Sequence, residues 1–430
     1  MSETRFIPRD RMAILFTVML VAAAGNTAMQ STLPAIASKL KISDVWVSLA
    51  FSWSALLWVY TAPKWARLSD RRGRKALMKL GTTGFISSML LSGLALWLGL
   101  HGFIAPIIAF LFFALFRSLY GGLGSAAPPA VQAYVASRTE RSERAKALSL
   151  LASSFGLGTV IGPAFAHYLV FQPLGLAGPM FVFAAIGVLV FAALVFRLPN
   201  DEPRFRARGS VSSYPSAASM ATPDVDEENV VSEESDDPRP DIRLPWRDSR
   251  LLPWLIAGLA GGHAQAILLG VVGFLVRDRL GLQDNPAEAV QAIGSVMFVG
   301  AMATLLAQWG LIPILSMQPR DSVLWGCLLA LVGIAVVGVS HDPYSISLGY
   351  AIASLGFGLY RPGFTAGASL AVTRAEQGDV AGKIASTNGA AYIFAPAVGV
   401  AMFNWWEPST FILMGIALVW LLIWGRIRLN

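Results

Sequence analysis

Two arginines stand inside runs that are otherwise apolar. One is Arg117, in Arg117-Ser118-Leu119-Tyr120-Gly121-Gly122, and the other is Arg361, in Arg361-Pro362-Gly363. A guanidinium at the centre of a bilayer-spanning helix costs about 2.5–3.5 kcal/mol on insertion scales, so it is expected to face a protein interior or a water-filled cavity. There it serves as a fixed positive charge for an anion, a dipole or a proton relay. His263, in Gly261-Gly262-His263-Ala264-Gln265, adds an imidazole; a substrate or proton contact and a hydrogen-bonded buried histidine both fit it. Asn26 and Gln30 lie one helical turn apart, as expected of a cavity wall or of helix-to-helix hydrogen bonding. No acidic residue falls in the interior of any long apolar run: Asp44 and Glu407 sit at edges, Asp70 and Asp379 in connections. Cations without carboxylates favour anionic or neutral substrates over lipophilic cations. For proton coupling, the groups able to carry the proton are His263, His167 and Asp70.

A span needs ~20 apolar residues. Twelve such runs appear, near 13–36, 45–64, 77–99, 103–127, 147–170, 176–197, 251–275, 289–314, 322–340, 344–370, 382–404 and 408–425. The chain is 55% hydrophobic and only 14% charged, where a soluble protein carries roughly a quarter charged residues. The fold class is therefore an all-α membrane protein. The apolar run near the start is too long for a cleavable signal peptide. Lys and Arg concentrate on one side of the spans, which predicts that both termini are cytoplasmic. Counted back from Arg138 and Arg374, Arg361 lies roughly 12 Å nearer the cytoplasm than Arg117, at ~1.5 Å per residue. The two arginines thus form no symmetric clamp, and Arg361 either lines the cavity or snorkels to the interface.

Composition changes sharply between the sixth and seventh runs, where residues 200–250 are rich in Ser, Pro, Arg and acids. Such a segment cannot bury enough apolar surface to fold. It reads as a flexible cytoplasmic linker between a six-helix unit at 1–199 and another at 251–430. The halves show weak internal similarity: Gly162-Pro163 in the fifth span corresponds to Ala395-Pro396 in the eleventh. Duplicated halves with a central site are a transporter design. The net charge of +7 sits in membrane-flanking connections, which argues against nucleic acid. One cysteine, Cys327, and four scattered histidines supply neither a disulfide framework nor a metal site. No cofactor is implied. The chain has no nucleophile triad, no metalloprotease motif and no phosphate-cradling loop, so neither an enzyme nor an ATP-driven pump is expected.

Residues 66–75, between the second and third spans, read Ala-Arg-Leu-Ser-Asp-Arg-Arg-Gly-Arg-Lys. This basic stretch resembles the loop signature of the major facilitator superfamily, Gly-x-Leu-Ala-Asp-Arg-x-Gly-Arg-Lys. Leu68, Asp70, Arg71, Gly73, Arg74 and Lys75 match it; Ala66 and Ser69 depart from it. The resemblance implies twelve transmembrane helices in two pseudo-symmetric six-helix bundles. It also implies that Asp70, Arg71, Gly73, Arg74 and Lys75 latch the halves together on the cytoplasmic side. The family usually places an Asp at the end of the fourth span to receive the loop's Arg. Ser137 stands there in this chain, with Glu140 or Glu143 as substitutes. The Arg117 segment resembles the family's second signature, with Arg117 implicated in proton coupling in related antiporters. Gly158, Gly162 and Pro163 match the antiporter signature Gly-x-x-x-Gly-Pro-x-x-Gly-Gly, a helix-packing hinge, while Ala166 and His167 replace its last glycines.

The resemblance implies a monomeric secondary active transporter in a bacterial inner membrane. Its expected activity is proton-coupled efflux of small organic molecules by alternating access. Import or facilitated passage of an anionic or neutral metabolite is the alternative, and a non-transporting sensor a distant one. The substrate or proton pathway is assigned to Arg117, His263, Arg361, Asn26, Gln30 and His167.

Overall fold

The computed structural model describes residues 7–139, 141–200, 244–373 and 376–429. The acidic segment at 201–243 and Glu140 lie outside these residues, as do the side chains of Asp70, Arg71 and Glu143. The described residues are almost wholly helical. The first half comprises α1 (Arg9–Leu40), α2 (Asp44–Arg72), α3 (Arg74–Leu100), α4 (Pro106–Gly122), α5 (Ala127–Ala136), α6 (Arg141–Ala166) and α7 (Gly178–Arg197). The second comprises α8 (Leu252–Arg279), α9 (Pro286–Leu305), α10 (Ile312–Leu315), α11 (Pro319–Val339), α12 (Pro343–Leu370), α13 (Gln377–Trp405) and α14 (Glu407–Arg428). Among the described residues, eleven spans are long and apolar enough to cross a membrane. The remaining expected span is α12, 28 residues long and diluted by Ser, Gly, Tyr and Arg361.

Three spans depart from simple rods. The fourth breaks into α4 and α5 through a 3-10 turn at Gly124–Ala126. Gly121, Gly122 and Gly124 weaken the helix there, and Pro128 and Pro129 lack the amide hydrogens that would continue the ladder. The eighth span widens into a π-helical segment at Leu306–Leu311 before α10. The fifth ends in a 3-10 turn at His167–Leu169.

The basic stretch at 66–75 also differs from a plain loop. Helix α2 continues through it to Arg72, and α3 begins at Arg74. Gly73 alone makes the turn, at φ 87° and ψ 145°, a region open essentially to glycine.

Each half is assembled in the same way. Helix α6 packs along α1, and α13 along α8; α4 packs on α2 and α3, as α12 packs on α9 and α11. Small residues set these approaches. A Cβ on Gly162 would lie 2.3 Å from the Ala24 carbonyl, and one on Gly158 would lie 2.4 Å from that of Leu20. The matched signature therefore seats α6 on α1. Gly121 approaches α2 in the same manner, 2.3 Å from the Ser54 carbonyl.

Replacing Gly73 with Ala should lower stability by about 1–3 kcal/mol, because the turn needs a backbone state that a Cβ disfavours. Gly122→Ala should be near neutral, since a Cβ there meets nothing within 4 Å. Thermal unfolding of the two purified variants checks the contrast.

Candidate functional site

The halves meet along α2 and α13 and along α6 and α9, with α1 reaching both α8 and α9. A cavity lies between them. From the first half, Gln30, Ser48 and Phe51 line it; from the second, Phe274, Met297 and Tyr392 do. Its walls are mainly apolar and aromatic, and among the described residues its lining contains no carboxylate.

The cavity is shut at one end, the end that carries Asp44. Arg277 Nη1 donates to Asp44 Oδ1 at 2.9 Å and Nη2 to Oδ2 at 2.8 Å. Nη1 also donates to the Pro34 carbonyl at 3.2 Å, and Nε to Asp278 at 2.6 Å. Asp44 is 8% exposed and Arg277 5%. Each charge also sits at the favourable end of its helix: Asp44 opens α2 and Arg277 lies in the last turn of α8. Glycines tighten the same seam. A Cβ on Gly273 would come within 2.8 Å of Pro34, and one on Gly294 within 2.5 Å of the Pro163 carbonyl. Val47 and Ser48 on α2, and Gly273 and Phe274 on α8, line the cavity one turn inside the ion pair. Toward the opposite end, which carries Gly73, neither α4 nor α5 packs along α12 or α13 among the described residues.

Arg117 is fully buried in the first half. Its guanidinium donates to the Asn26 side-chain carbonyl and lies 4.6 Å from the Tyr120 ring centroid and 5.1 Å from that of Phe51. Phe51 therefore separates this charge from the cavity it helps to line. Trp53 and Ser54 of α2 bond to Ser118 and to the Arg117 carbonyl, which holds the α4 segment against α2.

The sequence is matched by a family model described as the Major Facilitator Superfamily, over residues 15–382. The chain belongs to the major facilitator superfamily. It is therefore a multi-pass membrane transporter, a class distinct from enzymes. It is 24% identical over 410 residues to Multidrug resistance protein 2 of Bacillus subtilis, covering 94% of this chain and 92% of that protein. It is 28% identical over 259 residues to Multidrug resistance protein MdtG of Dickeya zeae, covering 60% of this chain and 54% of that one. In structure it resembles the nucleoside transporter NupG, with a TM-score of 0.69 at 10% identity over 97% of this chain and all of that one. It also resembles the human organic anion transporter MFSD10, with a TM-score of 0.62 at 16% identity over 97% and 100% of the two chains. At these identities the structures speak for the fold alone.

In this transporter the residues singled out by sequence fall into separate groups. Gln30 lines the cavity, whereas Asn26 is buried against Arg117. His263 lies on the face of α8 that also presents Ala266 and Gly270 to the cavity, one turn toward the Gly73 end. Its Nδ1 donates to the Leu259 carbonyl at 2.7 Å, which leaves Nε2 to accept. Arg361 is 3% exposed, so it does not snorkel to an interface. It falls on the side of α12 that carries Tyr350, Ser354 and Gly358, the side packed on α9. His167 stands apart, in the turn at the Asp44 end of α6, its ring tilted 41° to that of Tyr168 with 3.7 Å between centroids.

The described latch residues bind within their own half. Arg74 donates to Ser137 Oγ, so the hydroxyl receives the cation where the family usually has an acid. Lys75 donates to the Val195 carbonyl at 2.9 Å and to Asn200 Oδ1 at 3.1 Å, and also to the Leu198 carbonyl. Sequence reasoning missed the cavity aromatics and the Asp44–Arg277 pair. The pair had one legible signal, opposite charges at two span ends on the same side, but the chain separates them by more than two hundred residues.

Removing one member of a buried ion pair typically costs about 3–5 kcal/mol, and removing both costs much less. Arg277→Met and Asp44→Asn should each lower the unfolding temperature more than the double variant does. In a Cys327→Ser background, a cysteine placed at Ser48 should react several-fold faster with a bulky thiol reagent once Arg277 is Met. Labelling rates unchanged by Arg277→Met would show that the pair does not hold this end shut.

Proposed function

We propose that this chain is a proton-coupled exporter of small organic molecules that works by alternating access. The observation that carries the reading is the cavity between the halves, sealed at one end by a buried ion pair that crosses between them. Such a seal can be broken and remade as rigid halves rock, which is the motion alternating access needs. In this reading the moving bodies are residues 1–199 and 251–430.

The Lys and Arg bias puts the Gly73 end in the cytoplasm, with both termini. The cavity then faces the cytoplasm, ready to load cargo for export from a bacterial inner membrane. The names of its relatives, both multidrug resistance proteins, support export. Outward release requires Asp44 and Arg277 to part and the cytoplasmic end to close. Asp70, Arg71, Gly73, Arg74 and Lys75 form the hinge and latch of that second closure. Gly158, Gly162 and Pro163 support the pivot, since Gly158 and Gly162 seat α6 on α1 while Pro163 abuts α9.

Within the pathway, Gln30 touches cargo and Arg117, fixed by Asn26, supplies a positive potential behind Phe51. Arg361 supplies a second such charge from α12. His263 is the candidate proton carrier because its Nε2 is available on the cavity face of α8. His167, at the rim, is a secondary candidate.

Everted and right-side-out vesicles should separate direction from coupling. With a panel of neutral, anionic and cationic aromatic compounds, everted vesicles should accumulate at least one compound, and a protonophore should abolish that accumulation. His263→Gln should retain downhill exchange of the same compound while losing protonophore-sensitive accumulation. Accumulation only in right-side-out vesicles would overturn export, and insensitivity to the protonophore would overturn proton coupling.

A further inference from the structure

Arg277 is held by carboxylates from both halves. Across the seam it meets Asp44 through Nη1 and Nη2, at 2.9 and 2.8 Å, and the Pro34 carbonyl through Nη1 at 3.2 Å. Inside its own half it meets Asp278, the next residue of α8, through Nε at 2.6 Å. The two carboxylates use different donors of one guanidinium, so neither displaces the other. They differ in exposure: the Asp44 side chain is 11% exposed and that of Asp278 32%. Gln283, which donates to Asp278 at 3.5 Å, also belongs to the second half.

Asp278 breaks a local rule. It lies in the last turn of α8, where unpaired carbonyls favour cations, and Arg277 and Arg279 flank it. The closed seal does not need it. Asp44 already answers Arg277 through two bonds, and a second carboxylate leaves the cluster net negative, with two like charges sharing one guanidinium. Parting of the halves changes the balance. Arg277 loses Asp44 and Pro34 but keeps Asp278, which travels with it on α8. The repulsion between the two carboxylates is relieved in the same step. Asp44 enters water in the first turn of α2, where free amides favour negative charge. Neither member of the pair is left as a buried, uncompensated charge, which is what makes breaking such a pair expensive.

We propose that Asp278 is a positioning residue for opening of the Asp44 end: it retains Arg277 in the second half as the halves part, and so lowers the cost of breaking the seal. The proposal rests on the reading of alternating access across this seal and assigns a role to a residue beside it. Its consequence is a change of sign within one cluster. Removing Asp44 or Arg277 loosens the seal, whereas removing Asp278 tightens it, because Arg277 then has a carboxylate only while the seal is shut.

The full-length Cys327→Ser, Ser48→Cys protein in right-side-out vesicles tests this. A bulky, membrane-impermeant maleimide is added outside, under conditions where labelling is slow against opening, so that its rate follows the open population. Asp278→Asn and Asp278→Ser should each slow labelling about two- to fivefold, the worth of a partly exposed ion pair. Asp278→Glu keeps the charge and should label at the parent rate. Arg277→Met should label several-fold faster. In an Asp44→Asn background, where the cross-seam pair is gone, adding Asp278→Asn should leave the rate unchanged. Labelling that is unchanged or faster in both neutral Asp278 variants, beside faster labelling of Arg277→Met, would overturn the role of Asp278 and leave the seal standing. Unchanged labelling in Arg277→Met would remove the seal and this role with it. The expected labelling pattern in vesicles that accumulate no compound would keep Asp278 in its role and remove the exporter.

Discussion

Asp44 and Arg277 meet as full charges with less than a tenth of either residue exposed, and they belong to different halves of the molecule. A buried ion pair of this kind contributes little net stability against a well-packed apolar alternative, yet either partner alone is expensive to bury. Its value is conditional. While the halves are together at this end, both charges are satisfied; when the halves part, both must find water. The pair therefore ties closure of one end of the cavity to the position of two six-helix bodies. The tight seams at Gly273 and Gly294 depend on the same closure, and so does the shape of the cavity one turn inside it.

Several other buried cations are answered differently, within one half. Arg117 is held by Asn26 and by the faces of Tyr120 and Phe51; Lys75 is held by carbonyls at the end of α7; Arg74 is held by Ser137. Arg279 likewise stays in the second half, where it binds Glu407 and the Gly338 carbonyl. These contacts lie within one half, whereas the Asp44–Arg277 pair crosses the seam between halves.

The cavity combines a mostly apolar wall with a few polar groups drawn from both bodies. No carboxylate faces it among the described residues. The charge of Arg117 is felt there without being reachable, because an aromatic ring stands between.

Hydropathy alone determined the number of long helices and their order, because each span must satisfy its own backbone in the bilayer. The basic stretch with Asp70 and Gly73 determined the family, and Gly158 and Gly162 foretold a close helix contact that α1 indeed makes. Burial of Arg117 was also legible, since a lone charge in an apolar run has few other places to go. Tertiary structure decided what each group touches. Asn26 and Gln30 share a stripe, yet one serves Arg117 and the other the cavity. Arg361 left two positions open until packing of α12 on α9 buried it. Asp44 looked ordinary in sequence, an edge carboxylate. Its partner Arg277 lies far away in the chain, and the pairing of distant surfaces is set by how whole helices pack, which no local pattern of residues encodes.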